Sequence, residues 1–187
     1  MEIAEEIKVD PENGASRLIA EYGNRLYDVA FQLCQSEDGA RDLVNRTFVR
    51  AIERIALFSG GSTIYTWLYA ILVNFWRMDL RSRKSEIVSF SDTIPDAMSD
   101  RPDPAESLAA KADAQAIRDS VARLPAHYRV VTVFRYFEDR TVPEIAAILK
   151  IPEGTVKFRL HKAKKMMRHL LAQTVFASDA SKRDRKQ

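Results

Sequence analysis

A chain of 187 residues has room for one medium domain or two small ones. Hydrophobic residues make up 46% and charged residues 29%, as in soluble globular proteins, and a lone cysteine, Cys34, excludes an intrachain disulfide. The net charge of +3 is unevenly spread: residues 1–85 carry 11 basic and 12 acidic side chains, residues 86–113 carry 2 and 7, and residues 114–187 carry 16 and 7.

The positive field therefore lies in the C-terminal part, where a nucleic-acid contact would need it. Only 6 Gly and 7 Pro occur and strand-like alternation is scarce, so the expectation is an all-α protein. Met1 to Pro11 is acidic rather than basic and then apolar, so no signal peptide is expected. The longest apolar run, Trp67 to Trp76, is broken by Asn74 and falls short of the roughly 20 residues of a membrane span. A cytoplasmic protein with no membrane insertion is expected, with Cys34 a small hydrophobe in a reducing compartment.

In chain order, the first segment covers residues 11–85. Leu18, Tyr22, Leu26, Val29, Ala30 and Leu33 recur at three- and four-residue steps and predict a helix with one apolar face. Ser36, followed by Glu37 and Asp38, suits the start of the next helix, because a hydroxyl can accept from free amides and acids favour the positive dipole end. Leu43, Val44, Phe48, Ala51, Ile52 and Ile55 are its expected buried set. Leu57 to Thr63, with Gly60-Gly61, reads as a loop. A third helix from about Ile64 to Arg83 is aromatic early and basic late. Trp67, Tyr69, Phe75 and Trp76 at helical spacing fit a core better than platforms for bases.

Residues 86–113 hold three prolines and seven acids, lack an apolar period until Ala105, and read as a flexible acidic linker with some helix at its end. Residues 114–176 are again helical. Ile117, Val121 and Leu124 form one stripe before Pro125, and Val130, Val131, Val133, Phe134 and Phe137 form the next. Two shorter helices are expected after these, then a polar, frayed tail over 177–187.

The sharpest local signal lies between Thr141 and Leu171. Thr141-Val142-Pro143-Glu144 is a capping box, with Pro143 at an early helical position where a missing N–H costs nothing. A short helix, a turn at Lys150-Ile151-Pro152 and a second helix near Glu153 make a helix-turn-helix. In the second helix Val156, Leu160, Ala163, Met167 and Leu171 share one face. Thr155, Lys157, Phe158, Arg159, His161, Lys162, Lys165 and Arg168 lie opposite or on the flanks and are the candidate DNA-binding residues. From Thr155 to Leu171 there are six Lys or Arg and no acid, a clustering that repels itself unless an anion offsets it. Phe158 suits a thymine methyl or a protein contact, and His161 suits solvent as well as a base.

These residues carry a family resemblance. Leu124-Pro125-Ala126-His127-Tyr128-Arg129, Tyr136-Phe137, Glu144-Ile145-Ala146 and Gly154-Thr155-Val156-Lys157 resemble region 4 of sigma factors of the extracytoplasmic-function (ECF) type. Ala40-Arg41-Asp42-Leu43-Val44-Asn45-Arg46-Thr47-Phe48-Val49-Arg50-Ala51, then Thr66-Trp67-Leu68-Tyr69, Asn74, Asp79 and Arg81, resemble sigma region 2. The resemblance implies two small helical domains joined by the linker. Region 2 would bind the β′ clamp helices of core RNA polymerase and melt the −10 element; region 4 would read the −35 element and dock on the β flap.

It also implies site residues. Phe58, Ser59, Asn74, Arg77, Arg81, Arg83 and Lys84 are the −10 candidates. Asp42, Leu43, Asn45, Arg46, Phe48 and Val49 are the polymerase-binding candidates, although Asp42 also reads as a solvated acid and Phe48 as a core aromatic. Promoter DNA, core polymerase and a separate anti-sigma factor are the implied partners.

The sequence departs from the family at four places: Asn45-Arg46 stands for Gln-Glu, Ala70 and Val73 stand where basic residues are frequent, Lys150 stands for the turn glycine, and Phe158 for a small residue. A left-handed Lys150 would cost roughly 1 kcal/mol. No catalytic, metal or cofactor site is expected, because His127, His161 and His169 lack a matching carboxylate or cysteine pattern. A stand-alone helix-turn-helix repressor or activator is the competing reading; it explains residues 114–187 and leaves 40–84 without a role.

Overall fold

The computed structural model describes the backbone of residues 3–87 and 108–184, and the side chains of 3–82 and 114–172. The described residues contain no strand, and the chain divides into two compact units. The N-terminal elements are α1 (Ile3–Val9), α2 (Pro11–Cys34), α3 (Glu37–Arg54), a 3₁₀ turn (Ile55–Leu57) and α4 (Ile64–Ile87). The C-terminal elements are α5 (Leu108–Ala122), α6 (Ala126–Tyr136), α7 (Val142–Leu149) and α8 (Glu153–Asp184).

In the N-terminal unit α2, α3 and α4 pack together, and α1 lies against α2. Helix α2 starts where Asp10 accepts from the Asn13 N–H at 3.2 Å, with Pro11 in the first turn. It stops at Gln35, which takes a left-handed φ of 56° and returns its N–H to the Phe31 carbonyl. Ser36 then caps α3 by accepting from the Gly39 N–H at 3.3 Å.

The predicted stripes become the core. Leu18, Leu26, Val29, Ala30 and Leu33 from α2 are buried, as are Leu43, Val44, Phe48 and Ala51 from α3 and Leu68, Tyr69, Leu72, Val73 and Trp76 from α4. Thr47 is also buried, and its hydroxyl is satisfied by donating to the Leu43 carbonyl at 2.7 Å. Tyr65 joins Tyr22 of α2 at 6.4 Å and Tyr69 at 4.2 Å between ring centres. Burial, with a hydrogen bond to Glu21, pushes the Tyr22 hydroxyl up to about 12.

In the C-terminal unit α5, α6 and α8 pack on one another. Val121, Leu124, Val130, Val131, Val133, Phe134, Val156 and Ala163 are buried. The Arg129 guanidinium donates to the Ala122 carbonyl, and to that of Leu124 at 3.3 Å, satisfying acceptors left open at the end of α5.

Three expectations change. The acidic stretch before Pro11 carries no predicted element, yet Ile3, Ala4 and Ile7 are buried from α1. Ile117 and Phe137, expected in the core, are 43% and 36% exposed. The second of the two helices expected after α6 is a single helix of 32 residues running through most of the expected tail, because after Gly154 no Gly or Pro interrupts it. The helix expected at the end of the linker begins at Leu108, α4 runs on to Ile87, and residues 88–107 lie outside the described residues.

Candidate nucleic-acid interface

The capping box forms as the sequence predicts. Glu144 accepts from the Thr141 N–H at 2.8 Å and from its hydroxyl at 2.7 Å, while the Glu144 N–H faces the Thr141 hydroxyl oxygen at 3.4 Å. Hydrogen bonds from the Thr141 hydroxyl and N–H, with Arg140 3.2 Å away, hold the Glu144 carboxyl below the usual carboxylate range. Helix α7 ends at Leu149, and Lys150 takes the left-handed region at φ 52°. The N–H groups of Thr155 and Val156 then donate to the Pro152 carbonyl at 2.9 and 3.2 Å as α8 begins.

The outward face of α8 is built almost wholly from the predicted residues. Lys157, Phe158, His161, Lys162, Lys165 and Arg168 are exposed, and Thr155 and Arg159 are half-buried. Phe158 is 56% exposed, and the Lys162 ammonium lies 5.6 Å from its ring centre. Lys157 meets Glu153 loosely at 3.8 Å. Among the described residues no carboxylate pairs with Arg159, Lys162, Lys164, Lys165 or Arg168. An apolar back, an aromatic in the middle and unneutralised cations around it suit a polyanion that also presents flat, apolar edges.

In the N-terminal unit the predicted loop follows the 3₁₀ turn. Ser59 is exposed, Gly60 has φ 75°, and the Thr63 hydroxyl accepts from the Thr66 N–H at 3.2 Å as α4 begins. Phe58 is only 8% exposed, its ring 5.3 Å from Trp67, so as it stands it anchors the loop and offers no face to a base. Asn74 and Arg81 are exposed and Arg77 is half-buried. Arg83 and Lys84 fall within α4, but their side chains lie outside the described residues. Tyr69 and Trp76 are core, while Trp67 and Phe75 are half-buried.

The α3 candidates divide between surface and core. Asp42, Asn45 and Val49 are exposed, whereas Leu43 and Phe48 are 0% and 5% exposed and hold α3 to its neighbours. Arg46 is engaged: its guanidinium grips Asp79 of α4 at 2.9 and 3.2 Å, meets Asp42 at 2.8 Å, and lies 4.7 Å from the Phe75 ring centre. The i,i+4 pair with Asp42 was visible in the sequence; the Asp79 partner, 33 positions away, carries no local signal.

Helices throughout the described residues, and a helix-turn-helix of α7 and α8 with a bare cationic face, define an all-α protein of the helix-turn-helix class. Residues 18–86 match the family model for sigma-70 region 2, and residues 114–167 that for sigma-70 region 4. The ECF RNA polymerase sigma factor SigW of Bacillus subtilis is 24% identical over 178 residues, covering 89% of this chain and 93% of SigW. The RNA polymerase sigma factor SigV of the same organism is 29% identical over 150 residues, covering 80% and 86%. Among solved structures, the sigma factor RpoE of Bartonella quintana, in complex with the anti-sigma factor NepR, superposes with a TM-score of 0.73 at 25% identity, covering 84% of this chain and 96% of that one. The chain belongs to the sigma-70 family, as a sigma factor of its ECF group.

Proposed function

We propose that this chain binds core RNA polymerase and directs it to promoters by reading two elements at once. The observation that carries this reading is the face of α8: five cations without a carboxylate partner around the exposed Phe158, on the second helix of a helix-turn-helix. Laid in the major groove of the −35 element, Thr155, Lys157, Phe158 and His161 meet base edges, while Arg159, Lys162, Lys165 and Arg168 meet phosphates. Ser59, Asn74, Arg77 and Arg81, with Arg83 and Lys84, hold the separated −10 strand. Phe58 supports that loop from beneath.

Asp42, Asn45 and Val49 face the β′ clamp helices, and Arg46 sets the geometry of that helix. Functional boundaries follow at about residues 11–85 for the −10 unit and 114–176 for the −35 unit, with 86–113 between them. The similar Bartonella quintana RpoE is held by an anti-sigma factor, and a separate inhibitor of that kind is the expected control here. Among the described residues no helix is long and apolar enough to cross a membrane.

The test is reconstituted transcription. Core polymerase plus the purified chain should produce run-off transcripts from promoter fragments selected by the holoenzyme, and core alone should not. A chain that protects DNA without core and yields no transcript would be the stand-alone repressor or activator.

A further inference from the structure

Helix α1 lies outside the matched region 2, which begins at residue 18, yet it is docked tightly. Ile3, Ala4 and Ile7 are buried to 6%, 2% and 2% exposure. At Gly14 of α2 the backbones approach so closely that a Cβ would lie 2.6 Å from the Ile7 nitrogen and 2.7 Å from its Cα. Polar contacts hold the same junction: Glu6 pairs with Arg17 at 2.5 Å, and Asp10 closes the first helix with its N–H on the Glu6 carbonyl at 2.8 Å.

The second contact of α1 is the 3₁₀ turn Ile55–Leu57. That turn leads directly into the loop, and its Ile55 carbonyl accepts from the Phe58 N–H at 3.0 Å. Ile55 is buried, and Phe58 is fixed against Trp67. The loop that follows has a glycine pair and several exposed hydroxyls, and its far end is fixed where the Thr63 hydroxyl accepts from the Thr66 N–H at 3.2 Å. Its N-terminal root is held by α1 on one side and by Trp67 on the other.

We propose that α1 is a positioning element for promoter opening: by bracing the 3₁₀ turn through Ile7 and Gly14, it holds Ser59 to Thr63 where the −10 strand is captured. This rests on the reading of that loop as the strand-binding segment. Gly14→Ala separates the role from general stability. Alanine is a better helix former than glycine, so α2 itself is strengthened while α1 is pushed away. Ile7→Ala weakens the same junction from the other side without adding bulk.

The full-length chain and both variants are assembled with core polymerase. Three quantities are measured: affinity for core, affinity of holoenzyme for duplex −35 DNA, and affinity for a single strand selected from a random pool by the unaltered holoenzyme. Both variants should lose at least fivefold in single-strand affinity and keep core and duplex affinities within twofold. Unchanged single-strand affinity overturns the proposal, and so does a parallel loss of core affinity, which would make α1 only a support for the domain.

A Ser59→Glu control, which places a negative charge in the loop, tells the two failures apart. If that control weakens strand binding and the α1 variants do not, bracing is refuted and the loop reading stands. If the control also has no effect, the loop reading itself fails and the proposal with it.

Discussion

Replacing Arg46 by alanine removes a two-pronged polar tie between α3 and α4. The guanidinium spans two carboxylates, Asp79 at 2.9 Å and Asp42 at 2.8 Å, and covers Phe75 at 4.7 Å. These groups are partly solvated, with Arg46 and Asp79 side chains 34% and 37% exposed, so each ion pair contributes no more than about 1 kcal/mol. The contact with the ring adds about 0.5–1 kcal/mol. The expected total is about 1.5–2 kcal/mol, or roughly 6–16 °C in melting temperature for a unit of this size.

Both tryptophans, Trp67 and Trp76, lie in α4, so their fluorescence in a urea titration reports this unit alone. A cycle of Arg46→Ala, Asp79→Ala and the double variant should give a coupling of about 1 kcal/mol that shrinks as salt is raised. Arg46→Glu, the residue the family usually carries, should destabilise more than alanine because it places a third carboxylate beside Asp42 and Asp79. A coupling within 0.3 kcal/mol of zero would refute the view that Arg46 ties the helices together, leaving it a free surface cation.

Other substitutions test other parts. Lys150→Gly should stabilise the folded chain by about 1 kcal/mol, because φ 52° carries a steric cost for lysine and none for glycine; an unchanged or lower thermal midpoint would remove that cost from the account. Lys162→Ala should weaken binding to every DNA sequence and reduce the slope of log affinity against log salt by about one unit, whereas an unaltered slope would take Lys162 off the phosphates. Glu144→Gln probes the capping box through pH. The Glu144 carboxyl is held below its unfolded value, so its stabilisation is complete above about pH 4.3 and fades as pH falls through the lower folded value. The glutamine variant should therefore lose stability at neutral pH and show a flatter acid decline, measured by circular dichroism; parallel declines in the two proteins would show that the carboxylate contributes nothing.

What could be read from the sequence was whatever is local and periodic. The stripe from Leu18 to Leu33, the Ser36 cap, the Thr141–Glu144 box and the basic face of α8 each depend on residues within a turn or two, and a helix repeats them at a fixed angle. Even the strained Lys150 was visible, as a lysine at a turn that favours glycine. Tertiary structure decided which apolar residues of a mixed helix actually turn inward. Leu43 and Phe48 carried both a core and a partner reading and are core, Phe58 looked available to a base and is core, while Ile117 and Phe137 looked like core and reach solvent.

It also decided contacts between distant parts of the chain, such as Arg46 with Asp79 and α1 with the 3₁₀ turn at Ile55. Burial depends on which faces neighbouring helices cover, and that choice is made by the packing of several helices together. Periodicity marks a face as apolar; only the assembled bundle determines how much of it leaves water.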